Sequence, residues 1–381
     1  MALQPVHCRG GLDSFGPWIV TSRVLTSRPG LVFRKGMTLV PDGIPPVLNS
    51  VFQHYPNSYW PQSVWPLQAA GGFSGARVWK VESKAGPHCL RRWPKSHPDQ
   101  RRLRFIHEVL AHAAENGFSA LPLPILTREE NSFVSLNGRF WELARWLPGE
   151  ANYRARPEPQ KLSNAFEVLA QFHLATASYA AAPPEPDASP GIQQRLNQIE
   201  ELASGGLVTL ATAVQHYGEA PLRRRGQRVI GLFNRLVAEI RSQLQAAHQM
   251  HVAMQPCIRD IWHDHVLFVD AQVSGLIDFG AMRIDNVACD VARLLGSMAQ
   301  DQHDARQRAL VAYQTKRQLS LDELLLIEVF DRSTVLLAGI NWLQWICVDG
   351  KRFDDMDRVL ERLDELLVRL ETAAGRPDGW S

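Results

Sequence analysis

Hydrophobic and polar residues alternate in short runs along the part of the chain from Trp65 to Trp146. Two of these runs flank the glycine-rich segment "GGFSG", and a third contains "PHCLRRW". Asn137-Gly138 separates a further pair, and this dipeptide between alternating runs is a strong signal for a β-hairpin. The pattern therefore predicts a small antiparallel β-rich region.

Helical spacing replaces this alternation at one place in the β-rich region. Leu103, Ile106 and Leu110 recur on one face of a predicted helix, and Gly117 follows as its stop signal. After the hairpin, helical spacing dominates to the end, with one strong β signal at residues 257–280. We therefore expect an α+β fold with two lobes, a small antiparallel β-rich N-lobe and a larger, mostly helical C-lobe.

The predicted domain boundaries follow these changes of pattern. Residues 1–36 are rich in Gly, Ser and Arg and have little periodicity, so we expect an N-terminal extension that is disordered or not translated. Translation from Met37 is the corresponding hypothesis, and N-terminal mass spectrometry of the native protein tests it. The small lobe is predicted over residues 37–147 and the helical lobe over residues 148–381.

The composition narrows the class of protein. The chain has 381 residues, 45% of them hydrophobic, and a formal net charge of +2, which is too balanced to indicate a nucleic-acid partner. The five cysteines form no C-x-x-C pair, so we expect a reduced, cytoplasmic protein without structural zinc. The chain has no run of transmembrane length and no secretory signal pattern, so we expect no membrane partner. The composition leaves the oligomeric state open.

Titratable side chains gather at both ends of the β signal at residues 257–280. Residues 265–269 and 274–279 form a predicted antiparallel hairpin, which brings Asp260 close to Asp278. Clustered carboxylates and imidazoles need a cation or a substrate proton between them. Oxygen ligands from separate strands suit Mg²⁺, and nucleotide phosphates complete its shell. The cluster therefore indicates metal binding, chemistry on phosphate or strand capping.

The segment from Gln255 to Ser297 resembles the aminoglycoside phosphotransferase-like kinases, which include choline and homoserine kinases. It contains "IRDIWHDH", "LIDFG" and "CDVARLLGS", where the family has His-Gly-Asp-x-x-x-x-Asn, then Ile-Asp-Phe/Trp and a later Asp-(Leu/Val)-Ala. The resemblance implies a protein-kinase-like fold and an ATP-dependent phosphotransferase that phosphorylates a hydroxyl of a sugar, an amino alcohol or a similar small molecule. It also implies ATP and Mg²⁺ (or Mn²⁺) as cofactors.

The same resemblance implies roles for residues of the C-lobe. Asp260 matches the catalytic base that accepts the proton of the substrate hydroxyl, and Asp278 matches the Asp that holds the metal. His265 lies where the family has its metal-binding Asn, and Asp264 beside it is the alternative ligand. Asp290 matches a structural Asp behind the loop, and it is also placed to cap the following helix.

Residues of the predicted N-lobe fit the nucleotide side of such a kinase. Gly72, Ser74 and Gly75 belong to the turn that would cover the phosphates, because glycine lets backbone N–H groups approach them. Arg91 on the third strand occupies the position of the phosphate-binding Lys, and a guanidinium binds phosphate oxygens in bidentate fashion. Glu108 on the helix is predicted to pair with Arg91.

Two departures from the family pattern keep other functions open. Ile258-Arg259 replaces His-Gly before the base, and His265 replaces Asn. Imidazole is a softer ligand than an amide oxygen, which favours Mn²⁺ or weaker metal binding. A pseudokinase, acting as a nucleotide-binding or regulatory module without turnover, is therefore the main alternative. A metal-dependent hydrolase built on the His-Asp-His cluster ranks third. Residues 185–250 are expected to select the acceptor, whose identity this pattern leaves open.

Overall fold

The structure, a computed structural model, describes residues 44–67, 75–95, 97–179, 185–353 and 355–375. The predicted N-terminal extension lies outside the described residues, as do Gly72 and Ser74. All described residues fall within one compact unit, Thr38–Ser381.

The β-rich region forms a five-stranded antiparallel sheet with the strand order β1-β2-β3-β5-β4. Its strands are β1 (Pro61–Pro66), β2 (Arg77–Ser83), β3 (Gly86–Arg92), β4 (Val134–Leu136) and β5 (Arg139–Arg145). Asn137 and Gly138 join β4 to β5 with φ values of 53° and 67°, which Asn and Gly tolerate in tight hairpin turns. The hairpin that this dipeptide predicted is therefore confirmed.

The described residues outside the sheet are mostly helical. The helices are α1 (Pro46–Phe52), α2 (Gln100–Glu115), α3 (Pro159–Thr176), α4 (Pro190–Glu201), α5 (Leu207–Gln215), α6 (Ala220–His248), α7 (Ala288–Met298), α8 (His303–Gln314), α9 (Leu321–Leu343) and α10 (Met356–Gly375). Among the described residues, none of these helices combines the length and the apolar character needed to cross a membrane.

Two hydrophobic cores divide the described residues. The smaller core lies between the sheet and α1, where Val81, Leu90 and Leu143 of the strands pack with Leu48 and Phe52 of the helix. The larger core joins the remaining helices, and α9 runs through it with buried side chains on nearly every face. A helix that is buried on most of its sides lies within a core and not on its surface. Two separate hydrophobic cores agree with the predicted division into two lobes.

Helix α2 confirms the helix that was predicted within the β-rich region. Asp99 caps it by accepting a hydrogen bond from the backbone N–H of Arg102 at 2.8 Å. Its buried residues Ile106 and Leu110 belong to the larger core, because α2 packs against α3. The helix therefore packs on the larger core, and the predicted lobe boundary at residue 147 stays a prediction.

Two short antiparallel pairs frame the conspicuous polar segment. Strand β6 (Gln255–Cys257) pairs with β9 (Arg283–Asp285), and β7 (Val266–Val269) pairs with β8 (Gln272–Leu276). The second pair confirms the predicted hairpin. The loop from residue 258 to residue 265 leaves β6 and enters β7, and Asp278 follows β8. Both ends of the polar segment therefore come together.

Candidate active site

The loop that carries Asp260 is fixed from behind by one buried carboxylate. Asp290, in the first turn of α7, accepts hydrogen bonds from the backbone N–H groups of Ile258 and Arg259, both at 2.6 Å. Nε2 of His173, on α3, lies 3.2 Å from Oδ2 of Asp290. The prediction that Asp290 lies behind the loop is confirmed. The additional prediction that Asp290 caps its own helix is wrong, because no described side chain caps the N-terminus of α7 and the carboxylate bonds the loop.

Arg259 occupies a backbone conformation that normally favours glycine. Its φ is 70°, in the left-handed region, where a side chain costs about 1–2 kcal/mol. Its guanidinium pairs with the fully buried Asp285 and donates a hydrogen bond to Gln194 at 2.7 Å. These contacts offset the strain. The loop therefore keeps a left-handed conformation at the position where the family that it resembles has Gly, while Arg259 adds a cation beside the loop.

Asp260 lies on the open side of this loop, with 53% of its side chain exposed. Arg293 of α7 donates from Nε and Nη2 to the same oxygen, Oδ1, at 3.1 and 3.0 Å. Both hydrogen bonds leave Oδ2 for another partner. The arrangement orients the carboxylate through Oδ1 and leaves Oδ2 without a hydrogen bond from the described residues.

His265 is held as a neutral imidazole. Its Nδ1 lies 2.8 Å from the carbonyl oxygen of Asp260, and the indole N–H of Trp262 donates to its Nε2 at 2.8 Å. A carbonyl accepts and an indole donates, so the proton belongs on Nδ1. Burial lowers the pKa of His265, which agrees with the neutral form. The Nε2 lone pair predicted to bind metal is therefore already engaged by Trp262.

Asp278 has the left-handed conformation, with φ 64° and ψ 65°. Its Oδ1 accepts a hydrogen bond from Nη1 of Arg91 at 3.2 Å, and its Oδ2 lies 3.6 Å from Nε2 of His265. Burial alone would raise the pKa of Asp278, but the charge and the hydrogen bond of Arg91 outweigh burial and hold that pKa below its usual value. Asp278 is therefore an anion with one oxygen directed toward the loop.

Arg91 meets a carboxylate on the neighbouring strand. Glu142 lies opposite it in the β3–β5 register, and its Oε1 is 3.7 Å from Nε of Arg91. His107 of α2 donates from Nε2 to the other oxygen of Glu142 at 2.8 Å and meets Ser132 Oγ through Nδ1 at 2.8 Å. Burial raises the pKa of Glu142, but His107 and Arg91 outweigh it and hold that pKa below normal.

The predicted pairing of Arg91 with Glu108 is wrong. Glu108 lies on the exposed side of α2 and accepts a hydrogen bond from the hydroxyl of Tyr179 at 3.2 Å. The preceding residue, His107, faces the sheet instead. Glu142 is the carboxylate that sequence reasoning missed. It is a lone acidic residue in the apolar run "FWELA", and the strand register places it opposite Arg91.

Asp264 also has a different environment from the predicted one. Its carboxylate pairs with Arg358 of α10 at 3.1 Å and lies 3.5 Å from Nε2 of His263. It does not line the cavity that Asp260, His265 and Asp278 share. Asp264 is therefore a partner of Arg358 in this structure and not a ligand beside Asp278.

The turn that was predicted to cover the phosphates is described only at its end, at Gly75. Gly75 has a φ of 76°, a conformation that glycine adopts without strain. Gly72 and Ser74 lie outside the described residues, so their predicted contacts with phosphate stay a prediction.

A cavity of about 580 Å³ opens in front of Asp260, His265 and Asp278. Residues of α4, α7, α9 and α10 contribute to its wall, among them Trp342 of α9, and the aromatic side chain of Trp345, which follows α9, adds to it. The predicted base and the predicted metal-binding Asp therefore share one solvent-connected space. Its volume is sufficient for a small-molecule ligand.

The donor set at Asp278 suits a hard divalent cation better through its carboxylate than through His265. The carboxylate offers an oxygen, whereas the imidazole lone pair is bonded to Trp262. A second group of possible ligands among the described residues, His173, Cys257 and Asp290, is fully buried. There Asp290 already bonds the loop amides and His173 bonds the hydroxyl of Tyr313, so this group is structural.

The sequence profile of the phosphotransferase enzyme family matches residues 67–323, more than half of the chain. The chain belongs to this family. A homoserine kinase of Azorhizobium caulinodans is 27% identical over 292 residues, which cover 74% of this chain and 81% of that relative. Homoserine kinases of Rhodopseudomonas palustris and Methylocella silvestris are matched over only 60% and 59% of their length.

Solved structures of a phosphotransferase and a kinase share the fold. A spectinomycin phosphotransferase in complex with ADP and spectinomycin has a TM-score of 0.61 and 11% identity, covering 89% of this chain and 97% of that one. A microcompartment-associated aminopropanol kinase has a TM-score of 0.61 and 13% identity, covering 87% and 96%. The predicted two-lobed, protein-kinase-like fold and the predicted class, a small-molecule phosphotransferase with an alcohol acceptor, are confirmed.

Proposed function

We propose that this phosphotransferase moves the γ-phosphoryl group of ATP to a hydroxyl of a small molecule, with Mg²⁺ or Mn²⁺ bound at Asp278. One observation carries the proposal: Asp260 and Asp278 line the same cavity, and each is oriented by an arginine. Oriented charges of this kind, rather than covalent chemistry, are what phosphoryl transfer requires from a protein. A cytoplasmic location and the absence of a nucleic-acid partner stay predictions.

Asp260 takes the proton of the acceptor hydroxyl through Oδ2, while Arg293 holds Oδ1. Proton transfer to a positioned side chain accelerates a reaction by roughly 10²–10⁴-fold. The hydroxyl oxygen then forms a bond to the γ-phosphorus as the bond to ADP breaks, and the electron pair of that bond leaves with ADP.

Asp278 and Arg91 work on the nucleotide side. Asp278 supplies the carboxylate for the cation, which when bound neutralises charge on the phosphate oxygens. Arg91 is fixed between Asp278 and Glu142, so its remaining N–H groups are placed to bind phosphate. His265 acts as a positioning residue, because its Nδ1–H holds the carbonyl of Asp260.

The pseudokinase alternative rests on Ile258-Arg259 in place of His-Gly. The bonds from Asp290 to both backbone amides support an intact loop, and Arg259 accommodates the left-handed conformation. These contacts favour the active enzyme. ATP binding without phosphorylation of any acceptor would favour the pseudokinase.

The test is calorimetric titration of ATP with Mg²⁺ and then Mn²⁺, followed by turnover assays, on three variants. Asp278→Asn is expected to weaken metal-dependent ATP binding about tenfold or more, because the cation loses its charged ligand. Asp260→Asn is expected to retain ATP affinity and to lose roughly 10²–10⁴ in turnover.

Asp270→Asn is the matched control, since Asp270 is exposed in the turn of the same hairpin and Asn tolerates its φ of 52°. It is expected to leave both quantities unchanged. ATP binding that survives in Asp278→Asn, or requires no metal, would contradict the proposed nucleotide site.

A further inference from the structure

The cavity wall beyond Asp260 and Asp278 is strongly basic. Six arginines line it: Arg154, Arg195, Arg259, Arg293, Arg358 and Arg362. Lys351 adds a seventh cation, whereas Asp260 and Asp278 are the carboxylates in the described wall. The chain as a whole has a formal net charge of only +2, so the cavity concentrates positive charge.

Carboxylates outside the cavity compensate part of this charge. Asp285 pairs with Arg259, and Asp264 pairs with Arg358. One carboxylate, Glu365, forms ion pairs with both Arg154 and Arg362. Seven cations therefore face five carboxylates, of which Asp278 is also committed to Arg91. A positive charge remains that the described residues do not balance.

Arg195 of α4 shows where part of the unbalanced charge lies. Its guanidinium donates to the carbonyl of Gly191 at 3.0 Å and to Thr334 Oγ1 at 3.1 Å, and it rests 4.7 Å from the ring centre of Phe330. No carboxylate of the described residues forms an ion pair with it. Burial and then the charge of Arg259 lower the pKa of Arg195 to about 10.

The neighbouring cations repel one another across the cavity. Burial, followed by the charges of Arg293 and Arg154, lowers the pKa of Arg362 despite its bond to Glu365. The charge of Arg293 also lowers the pKa of Arg195, so it acts on both Arg195 and Arg362. These three residues of the cavity wall are called the arginine arc below. Arg293 is the residue that orients Asp260. An anion bound in this arc would relieve the repulsion and lie next to the base.

We propose that the acceptor is an anion, a small hydroxylated molecule whose carboxylate or phosphate ester binds the arginine arc while a hydroxyl meets Asp260. This inference rests on the phosphotransferase function proposed above. Arg195 and Arg362 belong to α4 and α10 of the helical region, whereas Arg91, on the sheet, is the residue proposed to bind the phosphates of ATP. The aromatic side chains of Trp342 and Trp345 provide the apolar wall for the carbon skeleton.

The same wall disfavours a cationic acceptor. An amino alcohol would bring an ammonium group among six arginines, of which Arg195 forms no ion pair with a described carboxylate, and like charges in a partly desolvated cavity repel strongly. Selection by repulsion acts together with selection by attraction. The cavity is therefore expected to discriminate between acceptors by their charge.

The test uses open-chain probes with one carbon skeleton and different charges. D-Gluconate is the anion, D-glucitol the neutral compound and 1-amino-1-deoxy-D-glucitol the cation, while D-glucitol 6-phosphate distinguishes a phosphate site from a carboxylate site. Binding to the full chain in the presence of ATP analogue and metal is measured by calorimetry, and phosphorylation by product analysis. An anion is expected to bind about tenfold tighter than glucitol, and the amine weaker still. Added salt should weaken only the binding of the anion.

Arg195→Gln removes the charge with no carboxylate partner. It is expected to weaken binding of the anion about tenfold, while the affinities for ATP and glucitol stay unchanged. Arg195→Lys restores the charge and should recover part of the loss. Arg235→Gln, an exposed residue of α6 with the same charge change, is the control. Lys351→Gln, at an exposed position, gives a second measurement of how the loss of one cation affects binding of the anion. This measurement does not depend on folding of the α4 variant.

The outcomes separate the two proposals. Equal or tighter binding of glucitol or the amine, or no binding of either anion while ATP still binds, would overturn the anionic acceptor. Phosphorylation of the neutral or cationic probe in that case would leave the phosphotransferase function standing. Suppose that an anion binds, that Arg195→Gln weakens this binding and that the anion is never phosphorylated. This result would support the anion site and count against turnover.

Discussion

At the scale of single residues, Arg259 shows how one side chain compensates for a strained backbone. The loop needs a left-handed conformation at this position, which glycine adopts freely and arginine does not. The ion pair with the fully buried Asp285 supplies the compensation. Backbone strain at Arg259 therefore destabilises the protein while the ion pair stabilises it. The relative sizes of these two effects decide how a substitution of Arg259 changes stability.

Arg259→Gly is expected to destabilise the protein. It relieves about 1–2 kcal/mol of backbone strain, but it leaves Asp285 buried without its cation, which costs about 3–5 kcal/mol. The free energy of unfolding from urea titration should therefore fall by about 2 kcal/mol.

Asp270→Gly is the control for this prediction. Asp270 has a comparable φ of 52° but is exposed, so glycine there should leave the protein equally stable or slightly more stable. If Arg259→Gly proved as stable as the unchanged protein, the ion pair would not be offsetting the strain.

At the scale of secondary-structure elements, the register of two strands decides which carboxylate meets Arg91. Glu142 lies directly across from it, whereas Glu108 is on the outer side of α2. Glu142→Gln removes a charge from a buried group that also includes His107. Asp278 still accompanies Arg91, so the loss of stability is expected to be about 1–3 kcal/mol rather than the full cost of an unpaired charge.

Glu142→Gln should also weaken ATP binding, because Arg91 loses one of the two carboxylates that hold it. The Kd for ATP is expected to rise about fivefold, measured by calorimetry with metal present. Glu108→Gln is the matched control on the predicted but incorrect partner, and it should change neither quantity. A larger effect from Glu108→Gln than from Glu142→Gln would support the pairing of Arg91 with Glu108 that the sequence predicted.

The sequence was informative about elements and less so about the contacts between them. Alternation and Asn137-Gly138 predicted the hairpin β4–β5, and helical spacing predicted α2, because these signals act over a few neighbouring residues. The polar segment predicted the site at Asp260 and Asp278 because a single hairpin joins them. Glu142 escaped prediction because its importance depends on the register of strands far apart in the chain.

At the scale of the whole molecule, the cavity is a second case in which contacts between distant elements could not be predicted from the sequence. Arg195, Arg293 and Arg362 belong to three helices, and nothing in their local pattern relates one to another. Each is separately an ordinary arginine on an amphipathic helix, and the fold alone makes them neighbours. The substrate class of such an enzyme is therefore a property of tertiary structure, while its reaction class is carried by one continuous segment.

The connection between the sheet and the helical region depends on a close backbone approach at Gly149. Its φ is 97°, and a side-chain carbon there would lie 2.6 Å from the carbonyl oxygen of Phe268 and 2.5 Å from Ser274 Oγ. The hydrogen bond from Ser274 Oγ to the carbonyl of Pro148, at 2.6 Å, and the bridge between Glu150 and Phe268 dock this segment on the hairpin that leads to Asp278.

Gly149→Ala is therefore expected to affect stability and catalysis together. Backbone strain and the clash with Phe268 should lower the free energy of unfolding by about 3 kcal/mol. Displacement of β7 and β8 should also reduce turnover, since Asp278 directly follows β8. Gly117→Ala has a similar φ of 85° but open space around it, so it should cost only about 1 kcal/mol and leave turnover intact. Equal losses in the two variants, measured by urea unfolding and ADP release, would show that strain alone acts and that the docking of this segment does not position the site.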